Sequence, residues 1–426
     1  MKNRAYRPRM ADTLLKEMLQ SFPAILVQGP KWCGKTTTAE QHAGSILYLA
    51  DPLSLEKNKL LAETNINALL TGKAPHLIDE WQEIPKIWDA IRFEADHRND
   101  VGQFLLTGSS VPTDTTQMRH SGTGRFAWLT MRTMSLWESG ESNGTVSMEE
   151  LFLQPQMIFS ESTLQLEEIA FLICRGGWPF SVGLDSKYAL RQAYAYFDAV
   201  VENDIVRIDN SLKNSSRARR IMRSLARHQG TQTPVTTICS DSKMNESEAL
   251  AEETVSLYIN ALKKIFVIED AETWNPNLRS KTAIRTSNTR YFTDPSIAVA
   301  ALGIGPQDLM NDLNTMGLLF ETLAVRDLRV YAEVLDGNVF HFRDKNGLEC
   351  DAVVHLRNGH YGLVEIKLGG EKLIEEGATT LKKLESKIDT DRMFAPSFKM
   401  VLTAVGQYAY RRPDGVYVVP IGCLKP

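Results

Sequence analysis

Gly29-Pro30-Lys31-Trp32-Cys33-Gly34-Lys35-Thr36 has the spacing G-x-x-x-x-G-K-T, and those residue types suit a polyphosphate. The glycines let backbone N–H groups face phosphate oxygens, and a helix opening behind the loop adds partial positive charge. Lys35 has the length and charge to reach β- and γ-phosphates, and the Thr36 hydroxyl can ligate magnesium. The run from Gly29 through Pro30, Lys31, Trp32, Cys33 and Gly34 to Thr37 is therefore the candidate ATP-binding segment.

Leu77-Ile78-Asp79-Glu80 supplies the other half of that chemistry. An apolar strand ending in Asp79 places a carboxylate for the magnesium shell. Glu80 is then set to orient or deprotonate an attacking water. An isolated Asp-Glu pair reads as well as a helix cap with an acidic first turn; beside the loop, the catalytic reading prevails. Thr107 and Ser109 end a further apolar strand, Phe104-Leu105-Leu106-Thr107-Gly108-Ser109. They fit either a γ-phosphate or water sensor, or caps for the next helix. Arg119, Arg125 and Arg132 come after it, and each suits an arginine finger reaching a neighbouring subunit or an ordinary ion pair. Arg125, after Gly124, is the one selected.

Near the C-terminal end, Asp351 precedes Glu365-Ile366-Lys367 by a hairpin-length gap, with Glu321 on a helix before them. In a strand, Glu365 and Lys367 share a face because side chains alternate. Asp351 on the neighbouring strand can join Glu365 to bind a divalent metal, with Lys367 activating water or stabilising phosphate charge. The arrangement resembles the PD-(D/E)xK nuclease core. An exposed Glu–Lys pair on an ordinary strand is the competing reading.

Short apolar runs ending in glycine or polar residues must position the nucleotide groups. Ala24–Val27, Ile46–Leu49, Pro75–Asp79, Phe104–Ser109 and a segment around Phe126–Leu129 read as strands between helices. That alternation predicts a parallel sheet covered on both faces. From about Leu164 the pattern turns helical, with helices over 188–208, 217–228 and 246–266, and a polar hairpin or loop from Asp270 to Arg290. The last hundred residues read as a helix over 316–331 and then strands near 339–342, 352–355, 362–367 and 399–402. Arg220, Arg223 and Arg227 line one helical face opposite Ile221 and Leu225. Such a stripe neutralises phosphates or, more commonly, is simply solvated.

The chain has 426 residues, 43% hydrophobic and 23% charged, which suits a multi-domain globular protein. A net charge of -4 gives no global attraction to nucleic acid, though a local basic face would suffice. Five cysteines without a Cys-x-x-Cys pairing argue against zinc and against a disulfide framework. With no long apolar run and no apolar signal core, the expectation is a cytoplasmic protein with no membrane span.

The order of these motifs, with Leu106-Thr107-Gly108-Ser109-Ser110, Gly124-Arg125-Phe126 and Met134-Ser135-Leu136-Trp137-Glu138, resembles the prokaryotic AAA-type P-loop ATPases carrying a DUF4143 C-terminal region. Gly176-Gly177-Trp178-Pro179 is similar to a short Gly-Gly-x-Pro segment of that family, and Arg290-Tyr291-Phe292-Thr293-Asp294 departs slightly from its Lys-x-Tyr-Phe-x-Asp pattern. The resemblance implies an α/β fold in three parts. Residues 1–160 form a P-loop NTPase domain, 161–300 a helical, winged-helix-like domain, and 301–426 an α/β nuclease-like domain. The expected function is a magnesium-dependent ATPase that couples nucleotide state to domain arrangement. Alternatives are a DNA-processing or defence nuclease with a regulatory ATPase, and a nucleotide-controlled binding switch with little turnover. ATP and Mg2+ are the expected ligands; DNA and further copies of the chain are the expected partners.

Overall fold

The computed structural model describes residues 5–109, 122–153, 157–207, 214–243, 250–276 and 287–426. The chain divides into two compact units. One comprises Met1–Thr133, Asn203–Leu212 and Ala261–Phe266; the other comprises Met134–Glu202, Lys213–Asn260 and Val267–Pro426.

In the first unit, β1 (Ala24–Gln28), β2 (Ser45–Tyr48), β3 (His76–Asp79), β4 (Phe104–Gly108) and β5 (Phe126–Thr130) form one sheet. Its order is β2-β3-β4-β1-β5 and every pairing is parallel. This is a P-loop NTPase-like parallel sheet. Alternation sends Ala24, Leu26, Ile78, Phe104 and Leu106 into one core with Trp81, Trp88 and Ile91. Ile25, Val27, Leu77 and Leu105 enter the other core with Leu15, Ala39 and Leu129. Apolar runs without a polar face are what burial on both sides requires. Trp88 stacks on Phe126 with centroids 3.8 Å apart, locking the helix Ile87–Arg98 against the sheet. Because β4 separates β1 from β3, the loop after β1 and the acids ending β3 flank the end of β4.

The second unit contains β6 (Val146–Ser147), β7 (Phe159–Glu161), β8 (Ile268–Ala271), β9 (Thr289–Phe292) and β10 (Gly337–Arg343). It continues with β11 (Glu349–Leu356), β12 (Tyr361–Lys367), β13 (Phe398–Thr403), β14 (Tyr408–Arg411), β15 (Tyr417–Pro420) and β16 (Leu424–Lys425). A seven-stranded mixed sheet runs β10-β11-β12-β13-β15-β14-β7, and β16 pairs with β6. The strands β10, β11 and β12 form an antiparallel meander. The helix Glu371–Glu385 then returns the chain to β13, parallel to β12. Val353, Leu363 and Val401 pack against Ala378, Leu381 and Leu384 of that helix.

The helical middle consists of Leu166–Arg175, Ser186–Ala199, Ser215–Arg227, Val235–Asp241 and Glu252–Lys264, and then the antiparallel pair β8–β9. The helix expected over 188–208 is interrupted by a π turn, Val200–Asp204, before resuming at Ile205–Arg207. Residues 244–249 and 277–286, parts of an expected helix and hairpin, lie outside the described residues.

These contacts divide the chain differently from boundaries at 160 and 300. Residues after Met134 belong with the C-terminal sheet because β7 extends it beyond β14 and β6 pairs with the final strand. A buried ion cluster fixes the same region. Arg326 bonds Asp327 through Nη2 at 2.7 Å and Asp294 through Nη1 at 3.2 Å. Asp327 accepts from the Leu136 amide and Asp294 from the Gly177 amide, each at 2.9 Å. The Gly176–Pro179 and Arg290–Asp294 segments thus meet through buried polar groups that satisfy one another.

Candidate functional site

The loop after β1 is shaped by two glycines. Gly29 has φ of 150°, and a Cβ there would lie 2.1 Å from the Met131 carbonyl oxygen. Gly34 is left-handed, with φ of 101°, and starts the short helix Lys35–Glu40. Lys35 is buried and donates from Nζ to the carbonyls of Gly29 and Pro30 at 3.0 and 2.8 Å. Its ammonium therefore lies along the inside of the loop. Cys33 is buried with its thiol directed at the Met131 carbonyl, which makes it part of the loop's packing. Trp32 has φ of 67° and is half exposed.

Thr36, Asp79, Glu80 and Thr107 converge at the sheet edge where the loop emerges. Thr36 Oγ1 donates to Asp79 Oδ1 at 2.7 Å, and Thr107 Oγ1 donates to the same oxygen at 2.6 Å. The Thr107 hydroxyl also accepts from the Glu80 amide at 3.2 Å. Glu80 is left-handed, at φ of 54°, a strained setting for a residue other than glycine. Its carboxylate accepts from Ser109 Oγ at 3.1 Å and from Gln82 Nε2. Thr107 is fully buried, and its hydroxyl joins the Asp79 carboxylate to the Glu80 amide. Ser109 is the hydroxyl that meets the Glu80 carboxylate.

The arginines divide by sheet edge. Phe126 pairs with Ala24, so Arg125 sits where β1 begins, one strand length from the loop (roughly 16 Å for five residues). It is ion-paired with Asp96. Arg132 comes after β5 at the loop's edge, and Arg119 lies outside the described residues. Arg9 was not singled out in the sequence, where it reads as part of a polar start. It is buried and donates to the carbonyls of Cys33 at 2.8 Å and Arg132 at 2.9 Å, bracing the loop from behind.

The donor set fits a nucleotide with magnesium. It offers a lysine ammonium lying along a glycine-shaped loop, and a hydroxyl and a carboxylate in contact at the loop's end. Hard cations take such oxygen ligands.

In the second unit, Lys367 Nζ lies 3.0 Å from Asp351 Oδ2 and 2.8 Å from Glu365 Oε2, so one ammonium joins both carboxylates. Asp351 also accepts from the Ile366 amide at 2.7 Å. Glu321 accepts from the Tyr291 hydroxyl at 2.6 Å, and the Gly230 backbone closes on it so tightly that a Cβ would lie 2.6 Å from Oε1. Burial pushes Glu365 up to about 8, with the Asp351 charge adding to it. Burial and Asp351 likewise push Glu321 well above the usual carboxylate range. Burial opposes the charge on Lys367, but the Asp351 and Glu365 carboxylates outweigh it and hold the ammonium protonated. Among the described residues, no three or more His, Cys, Asp and Glu side chains are grouped to hold a metal ion. The expected metal pair, Asp351 and Glu365, is bridged by the Lys367 ammonium.

On the helix Ser215–Arg227, Ile221 and Leu225 are buried and Arg223 and Arg227 exposed, with Arg220 between these extremes. Arg227 lies 3.7 Å from Asp241, so the stripe is partly neutralised. No helix among the described residues is long and apolar enough to cross a membrane.

The AAA domain family matches residues 21–139, and DUF4143, a domain of unknown function, matches residues 316–424. A second domain of unknown function, DUF8612, matches residues 166–308 between them. Uncharacterized proteins of Mycobacterium tuberculosis and Mycobacterium bovis are each 23% identical over 374 residues, spanning 84% of this chain and 73% of their own. A Walker-type ATPase of Pyrococcus abyssi is similar at a TM-score of 0.42 and 14% identity, covering 70% of this chain and 96% of its own. The loop from Gly29 to Thr36 and the acids ending β3 fall inside the AAA match, and the carboxylate cluster, apart from Tyr291 and Gly230, falls inside the DUF4143 match. The chain thus carries an AAA domain, with the P-loop motif inside it, and a DUF4143 domain towards its C-terminal end.

Proposed function

We propose that this protein is a magnesium-dependent ATPase whose nucleotide state alters the arrangement of its two units. The observation that carries the reading is the shared Asp79 oxygen, with Glu80 directed by Ser109 and Gln82 beside it. Lys35 would meet the terminal phosphates, and Thr36 and Asp79 would hold the metal. Magnesium bound there neutralises phosphate charge and favours attack at the γ-phosphorus. Glu80 orients the attacking water and accepts its proton. Coupling to the rest of the chain is supported by connectivity. The backbone passes between the units after Thr133, Glu202, Leu212, Asn260 and Phe266, so movement in the first unit is carried covalently. Magnesium-dependent phosphate release by the full chain, lost in Lys35→Ala, tests the reading. Undiminished turnover in folded Lys35→Ala would overturn it.

A nuclease reading of the DUF4143 region is favoured by one observation, the convergence of Asp351, Glu365 and Lys367 with Glu321 nearby. Metal entry there would require Lys367 to yield its place between the carboxylates. Plasmid nicking in magnesium or manganese, abolished by Asp351→Ala, would support it; no nicking by the wild type would exclude it. A homo-oligomer using Arg125 as a finger would require that residue to leave Asp96. Light scattering of wild type and Arg125→Ala with ATP tests this.

A further inference from the structure

We propose that Asp204 is a positioning residue for the nucleotide site, holding Lys31 away from the phosphates until ATP competes for it. The proposal rests on the ATP reading of the loop. Lys31 Nζ and Asp204 Oδ1 lie 2.5 Å apart, with the lysine side chain 46% exposed and the aspartate 11%. Lys31 comes directly after Pro30, whose carbonyl accepts from Lys35, so it stands one residue from the loop's inner surface. It is the only cation in the loop besides Lys35. A triphosphate bound there would be met by Lys35 alone while Lys31 is held by Asp204.

Asp204 reaches Lys31 through an irregularity in its own helix. The π turn Val200–Asp204 interrupts an otherwise α-helical run. Such a turn adds about one residue and rotates the next residues by about 100° relative to an unbroken α-helix. Val200 and Val201 are buried and anchor the turn, so Asp204 is directed rather than free to wander. π turns are uncommon and concentrate at functional positions. The chain passes from one unit to the other inside this turn, after Glu202.

The pair is built to be broken. Lys31 is only half-buried, and an ion pair so placed is weak in water. A triphosphate carries several negative charges, attracts the ammonium and repels the Asp204 carboxylate. Nucleotide binding thus releases Asp204 from the loop, and ATP affinity is lowered by the competition.

The test is equilibrium binding of a fluorescent ATP analogue with magnesium to the full chain, alongside steady-state hydrolysis. Asp204→Asn should tighten binding about two- to fivefold, the range expected of a partly exposed ion pair. KM should fall with it, without a matching rise in kcat, and Asp204→Glu should behave like the wild type. In a Lys31→Met background, Asp204→Asn should change affinity by less than about twofold. Unchanged or weaker binding by Asp204→Asn, or the same gain without Lys31, would overturn the proposal. Lys35→Ala separates the two failures. If it loses binding while Asp204→Asn changes nothing, only the Asp204 role falls; if it binds normally, the ATP reading falls and takes this role with it.

Discussion

Thr36 and Thr107 donate to one atom, Oδ1 of Asp79, from the start of the loop helix and the end of β4. The carboxylate that would hold the metal is therefore positioned from both sides, by the helix and by the neighbouring strand. Thr107 accepts from the Glu80 amide as well, so one hydroxyl sets both acids.

Thr107→Val keeps the shape and removes both bonds. Losing a buried bond between a hydroxyl and a charged group destabilises by about 1–3 kcal/mol. Turnover should fall about ten- to a hundredfold, because Thr107 arranges the two acids. Asp79→Ala should lose about a hundredfold or more. Wild-type kcat in Thr107→Val would show that Asp79 and Glu80 hold their places without it.

Glu80→Gln retains the acceptor that Ser109 meets but cannot take a proton. The variant should bind ATP nearly as the wild type does and hydrolyse it about a hundredfold more slowly. Rapid phosphate release by Glu80→Gln would mean that another group activates the water.

The inner strands β1, β3 and β4 were legible because each is a short, largely apolar run, as burial on both faces requires, whereas the edge strands β2 and β5 leave Ile46, Tyr48 and Trp128 exposed. The loop and Asp79-Glu80 were legible from residue type and spacing. Neighbour order was not, since nothing local in Phe104–Gly108 says that β4 inserts between β1 and β3. The place of Thr107 depends on that insertion. Arg125 illustrates the same gap, because its distance from the loop depends on which end of β5 it occupies. Arg9 and Asp204 meet the loop across 24 and 173 residues of chain, and no periodicity records such contacts. For Glu365 and Lys367, strand alternation was enough to place them on one face, while the place of Asp351 beside them depends on the pairing register of the neighbouring strand. Alternation could not show that the lysine would sit between the carboxylates.

His76 supplies a pH test of the strand that carries Asp79. Its ring is buried, with Nδ1 2.7 Å from Ser45 Oγ and Nε2 3.1 Å from the Leu69 carbonyl. Burial holds its pKa below the usual histidine value. A histidine depressed on folding contributes stability above its unfolded pKa of about 6.5, and loses it as pH falls through the folded value. Wild-type unfolding temperature should therefore drop from about pH 7 towards about pH 5. His76→Gln should show a smaller drop, measured by thermal denaturation in matched buffers. Equal slopes for the two proteins would assign the acid sensitivity elsewhere.

Lys367→Met separates an ion-paired cluster from a surface Glu–Lys pair. The ammonium joins Asp351 and Glu365, and Glu365 is almost wholly buried. Removing one partner of a buried ion pair leaves unpaired charge and is destabilising by about 3–5 kcal/mol, whereas loss of an exposed pair costs about 1 kcal/mol or less. The sign of the pH response comes from the carboxylates. With the lysine gone, Glu365 and Asp351 repel each other, and Glu365, already pushed up to about 8 by burial, keeps its proton more strongly. A carboxyl raised on folding contributes stability below its unfolded pKa of about 4.3 and loses it as pH rises through the folded value. Lys367→Met should therefore be most destabilised above about pH 8 and progressively rescued towards about pH 5. Adding Glu365→Gln should recover part of the loss at about pH 8 by removing one of the two charges. Chemical denaturation of the three proteins at about pH 5, 7 and 8.5 reads this directly. If Lys367→Met is as stable as the wild type at the highest of these pH values, the ammonium is not what neutralises the two acids, and the cluster is open to a metal after all.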